Sequence, residues 1–355
     1  MEPKKSGRIA GLDLLKTIAI FMVICIHVPL TQTNFMETGR IGKCVQYAIR
    51  LAIECVPIFV FVNGFLLFGK RSFDIKAHVH KMVKMLVLLL IWCGIYVVLY
   101  ACMWGEPITL HNIIKYTLTM EVGYLPTGLL WYLRNLLMLY ILFPVLKFLY
   151  DEKQELFKYM FAVVAFFSVG LNFIELLTQL YYQFGTSENV QYIYTFIVRY
   201  NPLTNTTLLF YFMAGGMAIK HVEQLKQIKV IVLGVIAWGL AFAYGFVMSK
   251  LSGVTYNEGF NYSTIFLFFI ILALFSISLR YEDKGKWYNR LIQTIGANTL
   301  GIYLIHIFVI NFVGIFIPNE RILQRCSIVL LSFVLSVVLV VIIRKIPILK
   351  KLMEM

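Results

Sequence analysis

The amino-acid sequence predicts an all-α fold, a polytopic membrane helix bundle of about ten transmembrane helices with both ends on the inner side. Apolar residues make up 60% of the 355 positions, whereas charged residues make up only 14%. The mean hydropathy is +0.80. Soluble domains carry roughly a quarter charged residues, so the composition excludes a soluble globule, a disordered chain and a fibrous protein.

Each element of this bundle is an apolar stretch of the chain, and ten such stretches can be recognised. Because lipid offers no hydrogen bonds, each stretch must satisfy its own backbone groups and is therefore predicted to be a helix. The sixth is the shortest and contains Gly215-Gly216, which we interpret, together with Asn63-Gly64, as a close packing site between helices. The stretches cover residues 12–33, 47–68, 83–104, 128–149, 158–180, 204–219, 230–249, 263–280, 291–315 and 326–345.

Basic residues set the predicted orientation of the chain. Lys and Arg are more than three times as frequent in the segments on the N-terminal side of the membrane as in those on the opposite side. The positive-inside rule therefore places both ends inside. The net charge of +14 does not indicate nucleic-acid binding, since these residues lie in short loops between apolar spans, where they contact anionic lipid.

Lys16 and His27 are ionisable residues on the first predicted span, where a polar group in lipid needs an explanation. Lys16 and His27 are separated by about three helical turns, so both project from one face. Lys16 is either a charge that reaches the inner surface or a functional cation. His27 is either a buried, hydrogen-bonded histidine or a general base that takes a proton from a hydroxyl.

A second histidine lies at a similar depth on another span. His306 follows well into the ninth stretch, which also starts on the inner side. Two histidines at one depth could line one cavity, although sequence alone does not show that they face each other. Arg50 and Glu54 are one helical turn apart on the second stretch, so they form either a structural ion pair or a group in which Glu54 orients a catalytic imidazole.

Further polar residues concentrate in the outer half of the predicted bundle, as an outward-opening cavity requires. Trp131 and Tyr132 open the fourth stretch, where such residues are typical of an interfacial aromatic belt. Arg134 and Asn135 lie deeper and fit that interpretation less well. Glu175 lies near the outer end of the fifth stretch.

The chain from Lys70 to Lys84 is predicted to be an inner loop rich in lysine, and it includes His78 and His80. Its cations either set topology and contact lipid or bind the phosphates of a cytoplasmic donor. The segment 105–127 is predicted to be an outer loop. The six cysteines of the chain show no metal-ligand spacing, so no metal site is predicted.

Four segments of the chain, taken in order, resemble the signature segments of the acyltransferase-3 family of bacterial integral-membrane O-acyltransferases. They are Gly11–Lys16 followed by His27, Pro57–Phe65, Leu130–Leu133 followed by Tyr140 and Pro144, and Gly301–His306. The chain departs from the family pattern at two positions, with Lys16 where Arg is usual and Asn63 where Ser is usual. Lys lacks the bidentate contact that Arg offers a phosphate or carboxylate. Such departures would indicate a different substrate, or transport in place of acylation.

The resemblance implies one transmembrane acyltransferase domain over residues 1–355, located in the bacterial cytoplasmic membrane and without a soluble domain. It implies that an acyl group, most simply acetyl, passes from cytoplasmic acyl-CoA to a hydroxyl of a cell-surface glycan or lipid-linked sugar. The alternatives are a transporter or flippase of a small molecule or acyl group, and a membrane scaffold without chemistry. Besides membrane lipid and the acceptor, a second copy of the chain or an envelope-biosynthesis partner is compatible with the sequence.

Under this interpretation the residues singled out above take three roles. His27 is the general base or a transient acyl carrier, with Glu54 or His306 holding its tautomer. Basic residues bind the donor coenzyme, and residues of the fourth and fifth stretches bind the acceptor, with Arg134 or Asn135 stabilising the oxyanion. The donor-binding residues are Lys16, Arg71, Lys81 and Lys84. The acceptor-binding residues are Trp131, Tyr132, Arg134, Asn135 and Glu175.

Overall fold

The structure is a computed structural model and describes residues 9–28, 55–105, 109–119, 130–184, 192, 195–196, 201–203, 206–253, 261–282 and 285–353. Within these ranges the chain forms helices and no strand, so the predicted all-α class is confirmed. The π-helical segment Phe166–Gly170 joins α6 to α7. The helices are α1 (Ala10–His27), α2 (Cys55–Phe68), α3 (Ile75–Trp104), α4 (Leu110–Thr119), α5 (Trp131–Glu152), α6 (Gln154–Ala165), α7 (Leu171–Phe184), α8 (Thr207–Ala218), α9 (Val222–Leu225), α10 (Ile228–Ser252), α11 (Ile265–Leu279), α12 (Trp287–Phe316), α13 (Ile322–Ile343) and α14 (Pro347–Lys350).

Each predicted span coincides with a helix. Seven helical stretches in the described part of the chain are long and apolar enough to cross a membrane, namely α1, α3, α5, the continuous run from α6 to α7, α10, α12 and α13. The shorter apolar helices α2 and α11 lie at the second and eighth predicted spans, and α8 lies at the sixth. The chain is therefore a multi-pass membrane protein, and its orientation stays a prediction.

The start of α3 corrects the predicted inner loop. The helix begins at Ile75, so most of the segment up to Lys84 is helical and the prediction of a loop there was wrong. The Asp74 carboxylate caps this end, because it accepts hydrogen bonds from the backbone N–H groups of Lys76, at 2.9 Å, and Ala77, at 3.3 Å. An acidic residue at the N-terminal cap of a helix is a recognisable sequence signal. The charged residues that follow Asp74 give the first turns of α3 a low hydropathy, and for that reason the segment was predicted to be a loop.

The predicted outer loop at 105–127 also contains a helix. The α4 helix is only ten residues long and has no fully buried side chain. Its Leu110, Ile114 and Leu118 form an exposed apolar stripe at a spacing of one turn, while Thr117 lies beside Gly94 of α3. A helix of this length is too short to cross the hydrocarbon core. The prediction considered only apolar stretches long enough to cross the membrane, and it therefore missed α4.

The chain divides into two compact units. The first comprises Met1–Gly69 and Lys158–Leu339, and the second comprises Lys70–Phe157 and Val340–Met355. In the second unit, the Trp92 indole N–H donates a hydrogen bond of 2.8 Å to the Leu352 carbonyl, so the segment after α13 packs against α3.

Close contact between α2 and α8 forms much of the packing of the first unit. A Cβ atom built on Gly64 would lie 2.0 Å from the Phe212 carbonyl oxygen, and one built on Gly215 would lie 2.1 Å from the Phe61 carbonyl oxygen. Only glycine allows two backbones to approach this closely. The prediction that these glycines are helix-packing positions is therefore confirmed.

The π-helical segment between α6 and α7 is held by polar groups from outside the helix. The Asn201 amide donates a hydrogen bond of 3.2 Å to the Phe167 carbonyl. The Ser168 hydroxyl lies 3.0 Å from the Thr206 hydroxyl and donates to the Val164 carbonyl at 2.6 Å. Asn201 and Thr206 therefore contact the π-helical segment from outside its own helix.

Candidate functional site

The structure brings His27 and His306 into contact. His27 is the last residue of α1, and His306 lies in the second half of α12. Their ring centroids are 5.1 Å apart, with the ring planes inclined by 44°. His306 is 1% exposed, whereas His27 is half-buried. The two histidines therefore differ in accessibility: His306 is enclosed by the protein, and His27 is the one that a substrate could reach.

The hydrogen bond of His306 fixes its tautomer. Nδ1 of His306 bonds the Tyr303 carbonyl one turn back in α12, and the two rings stack with centroids 5.8 Å apart. A carbonyl oxygen can only accept, so Nδ1 carries the proton and Nε2 carries the lone pair. That Nε2 atom is buried and has no hydrogen-bond partner among the residues described. The site thus contains a buried acceptor next to a second imidazole.

Contacts farther along α1 and α12 hold the two histidines at the same level. The Thr17 hydroxyl donates to the Asp13 carbonyl at 2.8 Å and lies 3.3 Å from the Ile292 carbonyl of α12. Gly296 of α12 lies against Asp13, since a Cβ atom built on it would be 2.7 Å from the Asp13 Cβ. The two helices run parallel and in contact from Asp13 to His27, which is the arrangement that places His306 beside His27.

The predicted donor-binding residue Lys16 lies beside a buried acid in the same helix. Its Nζ is 3.8 Å from Oδ1 of Asp13, whose side chain is 4% exposed. Sequence reasoning passed over Asp13, although an acid and a base three residues apart on a helix are expected to pair. The role of Lys16 in binding a donor stays a prediction.

The four predicted acceptor-binding residues of α5 lie in its first two turns, within the second unit. Tyr132 is buried, Trp131 and Asn135 are half-buried, and Arg134 is exposed. The Asn135 amide donates a hydrogen bond of 2.9 Å to the Trp131 carbonyl of its own helix. These residues therefore form one local group at the helix start, and their role in binding the acceptor stays a prediction.

Glu175 lies half-buried in α7, in the first unit. Its carboxylate accepts hydrogen bonds from the side-chain amides of Asn172, at 3.3 Å, and Gln179, at 3.4 Å. Both partners lie within one turn of the same helix, so this carboxylate is held in place by local contacts. Whether it binds an acceptor stays a prediction.

The predicted donor-binding cations of the second unit lie at the start of α3. Arg71 is exposed ahead of the helix, and Lys84 is half-buried within it. Nζ of Lys81 donates to the Tyr140 hydroxyl at 3.3 Å and lies 5.2 Å from the centroid of that ring. Lys81 is thus held against α5, whereas Arg71 is exposed on the surface of the protein.

His78 has a contact that sequence reasoning missed. The residue is buried, and its Nε2 lies 2.8 Å from the Tyr140 carbonyl of α5. In an α-helix this carbonyl would accept from the backbone N–H four residues later, but Pro144 occupies that position and has no N–H. His78 supplies the missing donor. A proline inside a predicted span was the signal, because the carbonyl that it frees must find another partner in lipid.

The predicted pair of Arg50 and Glu54 falls outside the described part of the chain. Glu54 lies outside the residues that the structure describes, as does Arg50, so their pairing and any role of Glu54 at His27 stay predictions. Among the residues that the structure does describe, no group of three or more His, Cys, Asp or Glu side chains could hold a metal ion.

Comparison with known families supplies independent information. The sequence model of the acyltransferase-3 family, described as an acyltransferase domain, matches residues 9–343. That range includes His27, His306 and all the other residues predicted above to take part in the site. Neither the curated proteins nor the solved structures compared with the chain gave a match.

Proposed function

The chain belongs to the acyltransferase-3 family, and from that premise we propose that it is a membrane-bound O-acyltransferase whose chemistry centres on His27 and His306. The donor is acyl-CoA from the cytoplasm, with acetyl as the simplest acyl group. The acceptor is a hydroxyl of a cell-surface glycan or lipid-linked sugar, modified at the bacterial cytoplasmic membrane. The observation that carries the proposal is the contact of the two imidazole rings, 5.1 Å apart between centroids.

His27 acts as the general base in this reaction. It takes the proton of the acceptor hydroxyl while the hydroxyl oxygen attacks the thioester carbonyl, so that a C–O bond forms. The tetrahedral intermediate then collapses, the C–S bond breaks, and the proton held by His27 passes to the departing coenzyme A thiolate. The products are an ester and a free thiol, and His27 returns to its neutral form.

His306 is the positioning residue of the pair. Its Nδ1–H is engaged by the Tyr303 carbonyl, so its Nε2 is available to accept a hydrogen bond. When His27 takes up a proton, its second ring N–H can donate to that acceptor, which would stabilise the positive charge. The same contact would hold the tautomer of neutral His27 that leaves one ring nitrogen free for the acceptor hydroxyl.

The difference in exposure supports this division of roles. A general base must come within hydrogen-bond distance of the hydroxyl that it deprotonates, and the half-buried His27 offers that access. The 1% exposure of His306 does not. A support residue, in contrast, is best placed behind the base, where its own rotamer is locked by packing.

Basic and aromatic residues would bind the two substrates. Lys16, Arg71, Lys81 and Lys84 carry positive charges that suit the phosphates of coenzyme A. The first two turns of α5, with Trp131, Tyr132, Arg134 and Asn135, offer aromatic and hydrogen-bonding groups of the kind that bind sugars, and Glu175 of α7 offers a further hydrogen-bond acceptor.

Thiol release from acetyl-CoA by the purified protein in detergent, with and without a glycan acceptor, tests this function. His27→Ala should lower the rate by about 10² to 10⁴, the usual contribution of a general base. His306→Gln, which keeps a hydrogen-bonding side chain but not the ring, should lower the rate by less. His221→Ala is the matched control, since His221 is an exposed histidine in the connection between α8 and α9.

Two outcomes would contradict the proposal. If His27→Ala transfers acyl groups at the wild-type rate, His27 is neither base nor acyl carrier. If liposomes that contain the protein move a labelled sugar or acyl compound across the bilayer while no thiol is released, the chain is a transporter.

A further inference from the structure

Two serines of α13 are buried and have no hydrogen-bond partner in the described part of the chain. Ser332 and Ser336 are each 0% exposed. Neither hydroxyl has a partner among the residues that the structure describes. The two residues are four positions apart, so they lie on one face of α13, separated by about 6 Å along the axis.

Several other serines in the helices of this protein behave differently, although Ser276 of α11 is likewise buried without a partner among the residues that the structure describes. The hydroxyls of Ser168, Ser249 and Ser252 each donate to the backbone carbonyl four residues back, at 2.6 to 2.7 Å. This local bond is the ordinary way in which serine is satisfied inside a membrane helix. Ser332 and Ser336 do not make it, so their hydroxyls are available to something other than their own helix. A hydroxyl left unpaired in an apolar interior costs free energy, which a polar ligand would recover.

Contacts of α13 with α1 place the two serines relative to His27. Phe333 packs edge to face on Phe21, with ring centroids 5.3 Å apart, and this contact sets the register of α13 against α1. Because α12 runs parallel to α1 and α13 turns back after the short segment 317–321, higher numbers on α13 pair with lower numbers on α1, and these two helices are antiparallel. With a rise of 1.5 Å per residue, Ser332 lies about 7.5 Å and Ser336 about 13.5 Å from the level of His27 along the helix axis.

This spacing suits the pantetheine arm of a coenzyme A thioester. The arm carries two secondary amides joined by two methylene groups. An extended residue spans about 3.5 Å, and one added methylene lengthens the amide-to-amide distance to about 5 Å. With the thioester carbon about 3.5 Å from the imidazole and the arm extended parallel to α13, the nearer amide would lie about 8 Å and the farther one about 13 Å from the level of His27 along the helix axis.

We propose that Ser332 and Ser336 bind the pantetheine arm, with Ser332 bonded to the amide nearer the thioester and Ser336 to the farther one. The proposal rests on the proposed function, because it takes acyl-CoA as the donor. Both serines would be positioning residues: they hold the arm extended along α13 so that its thioester end reaches His27.

Two thioesters that differ in the number of amides test the assignment. S-acetylpantetheine carries both amides, whereas S-acetyl-N-acetylcysteamine carries only the amide nearer the sulfur. We expect Ser332→Ala to raise KM about fivefold for both compounds, from the loss of one hydrogen bond. Ser336→Ala should raise KM about fivefold for S-acetylpantetheine and leave KM for the shorter compound unchanged. kcat should stay near the wild-type value throughout.

The matched control is Ser249→Ala, which removes an equally buried hydroxyl that is satisfied within its own helix. It should change neither KM. Wild-type KM values for both thioesters in the Ser332 and Ser336 variants would overturn the proposal. An equal effect of Ser336→Ala on both compounds would overturn the assignment of the two amides.

Direct binding separates this proposal from the proposed function. Coenzyme A binding to the His27→Ala variant, measured by titration calorimetry in detergent, should be about twentyfold weaker when both serines are alanine. If wild-type protein binds coenzyme A but transfers nothing, the proposed function fails, and the binding ratio still decides the role of the serines. If it neither binds nor uses the coenzyme, both proposals fail.

Discussion

The hydrogen bond between His78 and the Tyr140 carbonyl gives the sharpest prediction for stability. Pro144 leaves that carbonyl without its donor within α5, and His78 reaches it from α3 at 2.8 Å. The His78 ring also stacks on Tyr140, with centroids 5.6 Å apart, and packs against Phe73 and Phe143. His78→Phe would keep most of the ring packing while removing the donor.

The expected magnitude follows from the carbonyl that is left behind. A buried polar group without a partner costs about 1–3 kcal/mol, so His78→Phe should lower the free energy of unfolding by that amount. Pro144→Ala restores a backbone N–H at position 144, which can donate to the Tyr140 carbonyl. In that background the His78 donor is no longer needed, so His78→Phe should cost much less. The two substitutions should therefore be coupled by about 1–2 kcal/mol.

The two substitutions form a double-mutant cycle of four proteins: the wild type, His78→Phe, Pro144→Ala and the double variant. The assay is the equilibrium unfolding of these four proteins in mixed micelles, measured by tryptophan fluorescence. His80→Phe serves as the control, since His80 is an exposed histidine on the same helix and its replacement should have little effect. If His78→Phe lowers the free energy of unfolding by the same amount with proline and with alanine at position 144, the reasoning is refuted. The contribution of His78 would then not depend on the backbone donor that Pro144 removes.

Two further predictions concern helix packing and capping. Gly215→Ala should destabilise the protein by about 1–3 kcal/mol, because the added methyl group would meet the Phe61 carbonyl. Gly239→Ala should be neutral or stabilising, because a methyl group there would meet no atom within 4 Å from the described residues beyond its own stretch of helix. A lower melting temperature for Gly239→Ala than for Gly215→Ala would contradict this. Asp74→Ala should cost about 1 kcal/mol by removing the cap of α3, and Asp74→Ser should restore most of it; equal melting temperatures for wild type and Asp74→Ala would show that the cap contributes nothing.

The sequence predicts the helices of this protein well because lipid leaves few alternatives. A chain segment in the membrane must satisfy its own backbone, so an apolar stretch identifies a helix directly. Where this constraint weakens, prediction fails. The first turns of α3 carry Lys76 and Lys81, and α4 is too short to span the hydrocarbon core, so both were predicted to be loops.

The site could be predicted only in part. Counting residues places His27 and His306 at a similar depth, but depth does not fix how each helix is rotated about its axis. That rotation depends on the close contact of Gly296 with Asp13, which no periodicity reveals. The His78 contact was missed for a related reason: it joins two helices, and only the proline at position 144 indicated that a donor was required.

The π-helical segment Phe166–Gly170 has a consequence for the membrane span that contains it. A π-helical turn takes up one more residue than an α-helical turn, so everything after it is turned by about 100°. Ser168, within the segment, can therefore contact the Thr206 hydroxyl. After the segment, the Leu176 carbonyl accepts a hydrogen bond of 3.1 Å from the Tyr244 hydroxyl. Deleting a single residue from this segment would rotate Leu176 and Glu175 about the helix axis and break the contact of the Leu176 carbonyl with Tyr244. The number of residues in this span is therefore fixed by the groups that its second half must present.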